Sequence, residues 1–151
     1  MPSTPRIQIP RADGWSVDSQ SAPGMPITLL WGAPGEGAAL QVSYAVPRPG
    51  SKPLIGDKEL LKIATTTAAK RCATPIQTTG TSGCRFGRCA FARFSPGAGQ
   101  ECQLWVLSDK IRLVFVTLTS PQSVFAIVLE RAAAIAFGTT LTAARPWYKF
   151  W

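Results

Sequence analysis

The sequence predicts an α+β fold in which a central antiparallel sheet carries two main helices. Short apolar stretches of the 151-residue chain alternate with polar residues at a period of two, which is typical of strands. Two longer stretches repeat apolar residues every three or four positions, which is typical of helices. The connections between the later strands are too short for parallel crossovers, so we expect these strands to form an antiparallel meander.

Eight strands are predicted, four on each side of the first helix. The first four cover residues 6–9, 14–17, 27–31 and 38–46, with a Pro/Gly loop at 34–37. The later four cover residues 75–79, 85–94, 101–107 and 110–119, and Ser108-Asp109 is predicted to be a two-residue turn between the last two. Because the last strand is apolar on both faces, we expect it to be central and covered on both sides.

The two helices are predicted at about residues 57–72 and 120–138. The first begins with Asp57 as its N-cap and carries small residues at every fourth position. The second begins with Ser120 as its cap and Pro121 in its first turn, and Gly138 ends it. The apolar face of the second helix is so wide that it predicts deep burial against the sheet.

The chain is basic, with sixteen Lys and Arg against eight Asp and Glu and a formal net charge of +8. The densest group is Arg85, Arg88 and Arg93, interleaved with aromatic residues. Such a strand could stack bases and neutralise phosphates, or bind an acidic protein through Arg and aromatic side chains. The alternative is that the aromatic side chains lie in the core and the arginines on its rim.

Four cysteines, Cys72, Cys84, Cys89 and Cys102, predict two disulfides in an oxidising compartment. Cys84 and Cys89 flank a Phe86-Gly87 turn and are candidates for a bridge across a hairpin, which leaves Cys72 with Cys102. Free buried thiols and a metal site remain alternatives. The cysteine spacings of 12, 5 and 13 and the absence of histidine disfavour structural zinc, so no metal is expected.

The sequence offers no catalytic residues. Without histidine, Ser-His and Cys-His nucleophile systems are excluded. The Gly-rich stretches at 32–37 and 80–87 do not match a phosphate-binding loop, so no cofactor is expected. No stretch approaches the ~20 apolar residues of a membrane span. We therefore predict a binding protein and not an enzyme.

The C-terminal residues form an aromatic and basic tail. We predict a single domain over residues 1–151, with a core at about 6–140 and a tail at 141–151. The tail side chains Trp147, Tyr148, Lys149 and Trp151 are candidates for binding a partner or a membrane surface. The alternative is that this segment folds back onto the domain.

The order of elements resembles the PsbP-like family, which includes the Mog-type Ran-binding and the bacterial DcrB-like proteins. Trp15 follows an early short strand, and Gly83 or Gly87 lies in the turn before the long strand. Residues 116–121 are similar to the strand-to-helix junction of the family, and residues 125–137 to its terminal helix. The resemblance covers about residues 6–140 and implies an α/β/α sandwich with a binding role.

These observations predict a non-catalytic domain that binds another protein, expected to be acidic. Together with the resemblance they favour an immunity protein or chaperone associated with a secretion system. We expect a periplasmic or extracellular location after removal of a leader, with the cytoplasm as the alternative. The other candidate functions are binding of nucleic acid or an anionic surface, and binding of a ligand by a lipoprotein-like domain.

Overall fold

The structure, a computed structural model, describes residues 5–19, 26–32, 37–45 and 56–142. Seven strands form one antiparallel sheet in the order β2-β3-β4-β8-β7-β6-β5, and β1 pairs with β9 in a separate ribbon. The strands are β1 (Ile7–Gln8), β2 (Trp15–Ser19), β3 (Ile27–Trp31), β4 (Ala38–Ala45), β5 (Thr78–Cys84), β6 (Gly87–Gly97), β7 (Gln100–Ser108), β8 (Leu113–Pro121) and β9 (Thr140–Leu141). The predicted α+β class and the antiparallel sheet are confirmed.

Two helices cover opposite faces of this sheet. Helix α1 (Asp57–Ala69) buries Leu60, Ala64 and Ala68 in a cluster with alternate residues of β6 and β7. Helix α2 (Phe125–Gly138) packs against the opposite face, in a cluster that contains Trp105. Successive side chains of β7 belong to the two clusters in turn, because neighbouring residues of a strand point to opposite faces of the sheet.

The central position predicted for the last strand is correct. β8 pairs with β4 on one side and with β7 on the other, in the middle of the sheet. Val114, Val116 and Leu118 are fully buried beneath α2. Leu113 and Phe115, on the opposite face, are only partly buried against the α1 cluster. Burial of this strand is therefore complete on one face and partial on the other.

Two helix starts differ from their prediction. Gly56 precedes α1 as its N-cap, and Asp57 is the first helical residue, where it binds Arg88. Ser120 and Pro121 belong to β8, and a 3₁₀ turn (Gln122–Val124) leads into α2. Proline is tolerated here because β4 ends its pairing with β8 at Thr119, so no neighbouring strand needs the missing N–H.

The turn predicted at Ser108-Asp109 is longer than two residues. β7 ends at Ser108 and β8 begins at Leu113, so the predicted strand start at residue 110 is wrong. The Asp109 carboxylate accepts the backbone N–H groups of Ile111 and Arg112, which folds this segment into a turn. Residues 34–36 of the predicted loop and Val46 lie outside the described residues.

Candidate functional site

Two turns meet at one end of the sheet and form a compact surface. Arg85 and Phe86 connect β5 to β6, and residues 109–112 connect β7 to β8. The Arg112 guanidinium lies 5.4 Å from the centre of the Phe86 ring, so a cation–π contact joins the two turns. Gly87 has a φ of +148°, and a Cβ there would clash with the Ser108 carbonyl oxygen, so this close approach requires glycine.

Asp109 holds the second turn in place. Its carboxylate accepts the backbone N–H groups of Ile111 at 3.0 Å and of Arg112 at 2.6 Å, and it forms an ion pair with the Arg112 side chain at 2.9 Å. Partial burial opposes ionisation of Asp109, but these hydrogen bonds and the nearby guanidinium outweigh it and lower its pKa. Asp109 is therefore ionised at neutral pH and fixes the direction of Arg112.

A second ion pair ties α1 to the same end of the sheet. Arg88 donates to both carboxylate oxygens of Asp57, at 3.0 and 2.6 Å. The hydrogen bond from Arg88 lowers the pKa of Asp57, and the reciprocal bond raises the pKa of Arg88. Both side chains remain about half exposed, so the pair orients Arg88 at the surface.

Arg6 is linked to the second turn through hydrogen bonds of Thr142. Its carbonyl accepts the N–H of Thr142, and the carbonyl of Thr142 accepts a hydrogen bond from the Arg112 side chain at 2.7 Å. Ile111, with 58% of its surface exposed, lies in the second turn. We name the assembly of Arg6, Arg85, Arg88, Lys110, Ile111 and Arg112 the basic tip.

The charge of this basic tip is unbalanced. Asp57 and Asp109 neutralise Arg88 and Arg112, whereas Arg6, Arg85 and Lys110 form no ion pair within the described residues. Lys110 has a φ of +83°, and its backbone N–H donates to the Ser108 hydroxyl within this tight turn. The described residues at this end of the sheet thus include three cations without an ion pair and one exposed isoleucine.

The predicted arginine group is divided between the two faces of β6. Arg88 lies on the α1 face, and Arg93, an odd number of positions away, lies on the α2 face. Arg93 lies 5.2 Å from the centre of the Phe125 ring and donates to Gln103 at 3.0 Å, so it packs on the domain. Trp147, Tyr148, Lys149 and Trp151 lie outside the described residues.

The aromatic residues near these arginines lie mostly inside the fold. Phe94 is fully buried, Phe86 is 9% exposed, and Phe91 is partly buried beneath α2. This arrangement leaves few flat aromatic surfaces on which a base could stack. It corresponds to the alternative in which the aromatic side chains belong to the core and the arginines to its rim.

All four cysteines are free thiols, so the two predicted disulfides are not formed in the structure. Cys84 lies opposite Gly87 and Cys89 lies opposite Ser82, which makes the two cysteines diagonal neighbours. Diagonal neighbours are about 7–8 Å apart, beyond the usual Cα separation of a disulfide. Cys102 is a buried member of the α1 cluster and donates to the Thr119 hydroxyl, whereas Cys72 packs against that cluster and donates to the Ala68 carbonyl.

Burial makes the thiols poor nucleophiles. Desolvation raises the pKa of Cys72, Cys84 and Cys102, and it raises the pKa of Cys89 to about 12 with a further contribution from Cys84. Among the described residues, no three cysteine, aspartate or glutamate side chains are grouped so that they could ligate a metal ion. No helix of the described part of the chain is long and apolar enough to cross a membrane.

Sequence analysis did not predict four of the six residues of the basic tip, namely Arg6, Lys110, Ile111 and Arg112. Lys110 and Ile111 were assigned to a strand because residues 110–119 alternate, and their place in a turn depends on the Asp109 carboxylate. An Asp followed by a basic residue three positions later was the available signal, since Asp often accepts backbone N–H groups two or three residues on. Nothing in the sequence placed Arg6 beside this turn.

Comparison with known proteins identifies the fold. No family model matches the sequence, and no curated protein matches it significantly. The structure is similar to that of LpqN, involved in cell envelope biogenesis of Mycobacterium tuberculosis, with a TM-score of 0.59, 13% identity and coverage of 95% of this chain and 87% of that one. It is also similar to cyanobacterial PsbP (CyanoP) from Synechocystis sp. PCC 6803, with a TM-score of 0.56, 11% identity and coverage of 91% and 93%. The chain therefore has a PsbP-like fold.

Proposed function

We propose that this chain is an exported, non-catalytic domain that binds an acidic surface of another protein through the basic tip. The observation that carries the proposal is the exposed Ile111, which lies between Lys110 and Arg112 at the end of the sheet that also carries Arg85 and Arg88. In protein interfaces, a central side chain that loses its water is commonly surrounded by contacts that keep water out, and arginine is enriched at such sites. The ion pair with Asp57 orients the half-exposed guanidinium of Arg88 before a partner arrives, which lowers the entropic cost of binding.

Several features favour a protein over a nucleic acid. Asp57 and Asp109 lie within the tip and would repel phosphates, whereas a protein surface can present separate acidic and apolar groups. Phe86 and Phe94 are buried and so are not free to stack on bases. Non-specific attraction to nucleic acid is still expected from the net charge of +8.

The export of the chain and its role as an immunity protein or chaperone are the finer part of this proposal. The LpqN likeness supports a role at the cell envelope, and the absence of histidine from the sequence supports a non-catalytic one. An immunity protein or chaperone needs only a stable surface complementary to its partner. Fractionation of the source cell, with the native chain followed by antibody, tests the location, and recovery in the cytoplasm would contradict export.

Affinity capture with a matched pair of variants tests the binding surface. The tip variant is Lys110→Glu and its control is Lys62→Glu on the exposed side of α1, which changes the net charge equally. We expect the wild type and the control to retain one stoichiometric acidic protein, and the tip variant to bind it at least about tenfold more weakly.

Two outcomes would contradict the proposal. Equal loss of binding in Lys110→Glu and Lys62→Glu would mean that only the net charge matters. Recovery of nucleic acid alone, with an affinity that falls steeply as salt is raised, would assign the chain to the nucleic-acid alternative. Reversible thermal unfolding, with a transition like that of the wild type, serves as the folding control for both variants.

A further inference from the structure

The outer face of α2 is unusually apolar for a helix at a protein surface. Only Glu130 and Arg131 are charged in its fourteen residues. Ile127 is 61% exposed and Phe137 is 36% exposed. Surface helices usually carry charged residues over the side opposite the core. The described residues leave this side of α2 without a covering element, although its inner side is fully packed.

The exposed residues form one regular stripe along the helix. Ile127, Glu130, Arg131 and Ala134 lie at positions i, i+3, i+4 and i+7, which places them in a single row. A hollow of about 660 Å³ borders these four side chains and Ala126. Neither Glu130 nor Arg131 forms an ion pair within the described residues. The stripe thus carries two opposite charges between Ile127 and Ala134, and the Arg131 guanidinium lies beside Gly14.

This stripe is complementary to itself. A two-fold axis through the midpoint between residues 130 and 131 brings Glu130 of one copy opposite Arg131 of the other, and it does so twice. The same axis brings the large Ile127 opposite the small Ala134, so each isoleucine finds room above an alanine. Small residues at such positions allow helix axes to approach to about 8–10 Å.

We propose that a second copy of this chain packs on α2, with the two helices antiparallel and the stripes in contact. The interface is isologous, as in most homodimers, because each half contributes the same residues. Self-complementarity of charge favours a second copy over another partner, since an unrelated surface would have to reproduce both signs in this order. The proposal concerns a different surface from the basic tip and does not depend on it.

The dimer is expected to be weak. Exposed ion pairs contribute little, so the two Glu130–Arg131 pairs set the orientation while Ile127 supplies the apolar contact. The stripe is narrow compared with a standard protein interface, which predicts association that depends strongly on concentration. A rise in ionic strength should weaken the dimer only in part, because salt screens the ion pairs but not the apolar contact of Ile127.

Charge reversal and its reciprocal test this arrangement. Arg131→Glu places four acids at the centre of the interface, and Glu130→Arg places four bases there. We expect either change to weaken self-association at least about tenfold in sedimentation equilibrium, because like charges then face each other. The double variant E130R/R131E restores opposite charges across the axis, so it should dimerise as the wild type does. Rescue of this kind requires that the two residues face each other.

A tip variant serves as the control. Ile111→Glu alters another exposed isoleucine that does not belong to the stripe and should leave the dimer unchanged. Far-ultraviolet circular dichroism establishes that each variant is folded. A wild type that stays monomeric at every concentration would overturn the proposal, as would folded single variants that dimerise normally. The proposal would also be overturned if the double variant failed to dimerise while Ile127→Asp, which removes the apolar contact, left the dimer unchanged.

Discussion

Helices α1 and α2 cover opposite faces of one sheet, and their inner sides are built alike. Each buries leucine, isoleucine, valine or alanine at helical spacing, and each contributes at least one fully buried alanine to its cluster. Their outer sides differ. The exposed residues of α1 include Lys58, Glu59 and Lys62, whereas those of α2 include Ala126, Ile127 and Ala134. The core requires an apolar face of both helices, so the additional apolar residues of α2 indicate contact with something beyond the core.

The largest expected difference between the α1 side and the α2 side of the sheet is in the reactivity of their thiols. Cys72 follows α1 and is partly exposed, whereas Cys89 is fully buried in the cluster beneath α2. With its pKa raised to about 12, Cys89 has little thiolate at pH 8, and we expect its alkylation in the native state to be roughly a thousandfold slower than that of an exposed thiol.

Mass spectrometry of peptides over a time course measures these rates. Cys72 should be labelled first and Cys89 last, and all four thiols should react after unfolding without reductant. A pair of cysteines that stays unlabelled until reductant is added would show a disulfide and contradict the free thiols of the structure. Early labelling of Cys89 would mean that the α2 side opens readily.

Truncation of buried side chains tests whether the inner faces are equivalent. Leu60 in α1 is 2% exposed and Ile135 in α2 is 3% exposed. We expect Leu60→Ala and Ile135→Ala each to lower the free energy of unfolding by about 2–5 kcal/mol, since each removes transfer energy and leaves a cavity. Urea unfolding measures both, and Lys62→Ala provides a control that should stay within about 0.5 kcal/mol of the wild type. A cost near zero for Ile135→Ala would show that α2 packs loosely.

Acid should reveal a smaller effect on stability, which comes from the ion pair between Asp57 at the start of α1 and Arg88. The Arg88 hydrogen bond lowers the pKa of Asp57 below its usual value of 3.8. Because the folded pKa is the lower one, this pair stabilises the fold above pH 3.8, and that contribution is lost as the pH falls through the folded pKa. Asp57→Asn should therefore be less stable than the wild type at neutral pH, and the difference should vanish in strong acid.

Thermal melts from neutral to acidic pH measure this effect. Glu59→Gln, which removes a neighbouring acid of the same helix turn, should leave the Arg88 contact and the pH dependence of the Asp57 pair unchanged. A difference between Asp57→Asn and the wild type that persists in strong acid would mean that the carboxylate acts other than through its ionised form.

Much of the fold could be predicted from the sequence. The strand at 27–31 was predicted with its observed bounds, because Pro26 and Gly32 flank an apolar stretch. The apolar face of α2 was found from its period, although the start of the helix was not. Ser120 and Pro121 resemble a helix start in isolation, and their place in β8 follows from pairing with Glu101 and Gln100 of β7. At this junction, pairing with β7 outweighs the local preference of Ser120 and Pro121 for a helix start.

The candidate site was less predictable than the fold. Arg85, Arg88 and Arg93 were predicted together as partner-binding residues, but Arg93 lies on the opposite face of β6 from Arg88. The cysteine pairing depended on closeness along the chain, whereas the register places Cys84 opposite Gly87 and so leaves Cys89 diagonal to it. A one-residue difference in a hairpin turn decides such a contact, and sequence spacing does not resolve it.

The order of residues was enough to predict the α+β class, the two helices, the central place of the last strand and the basic charge of the chain. These follow from periodicity and composition, which act within short stretches or over the whole chain. Only the tertiary structure brought Arg6, Arg85, Lys110 and Arg112 to one end of the sheet, and only it showed that the second apolar side of α2 is exposed. Both depend on contacts between residues distant in the chain, and the energy of such contacts is decided by how the whole fold packs.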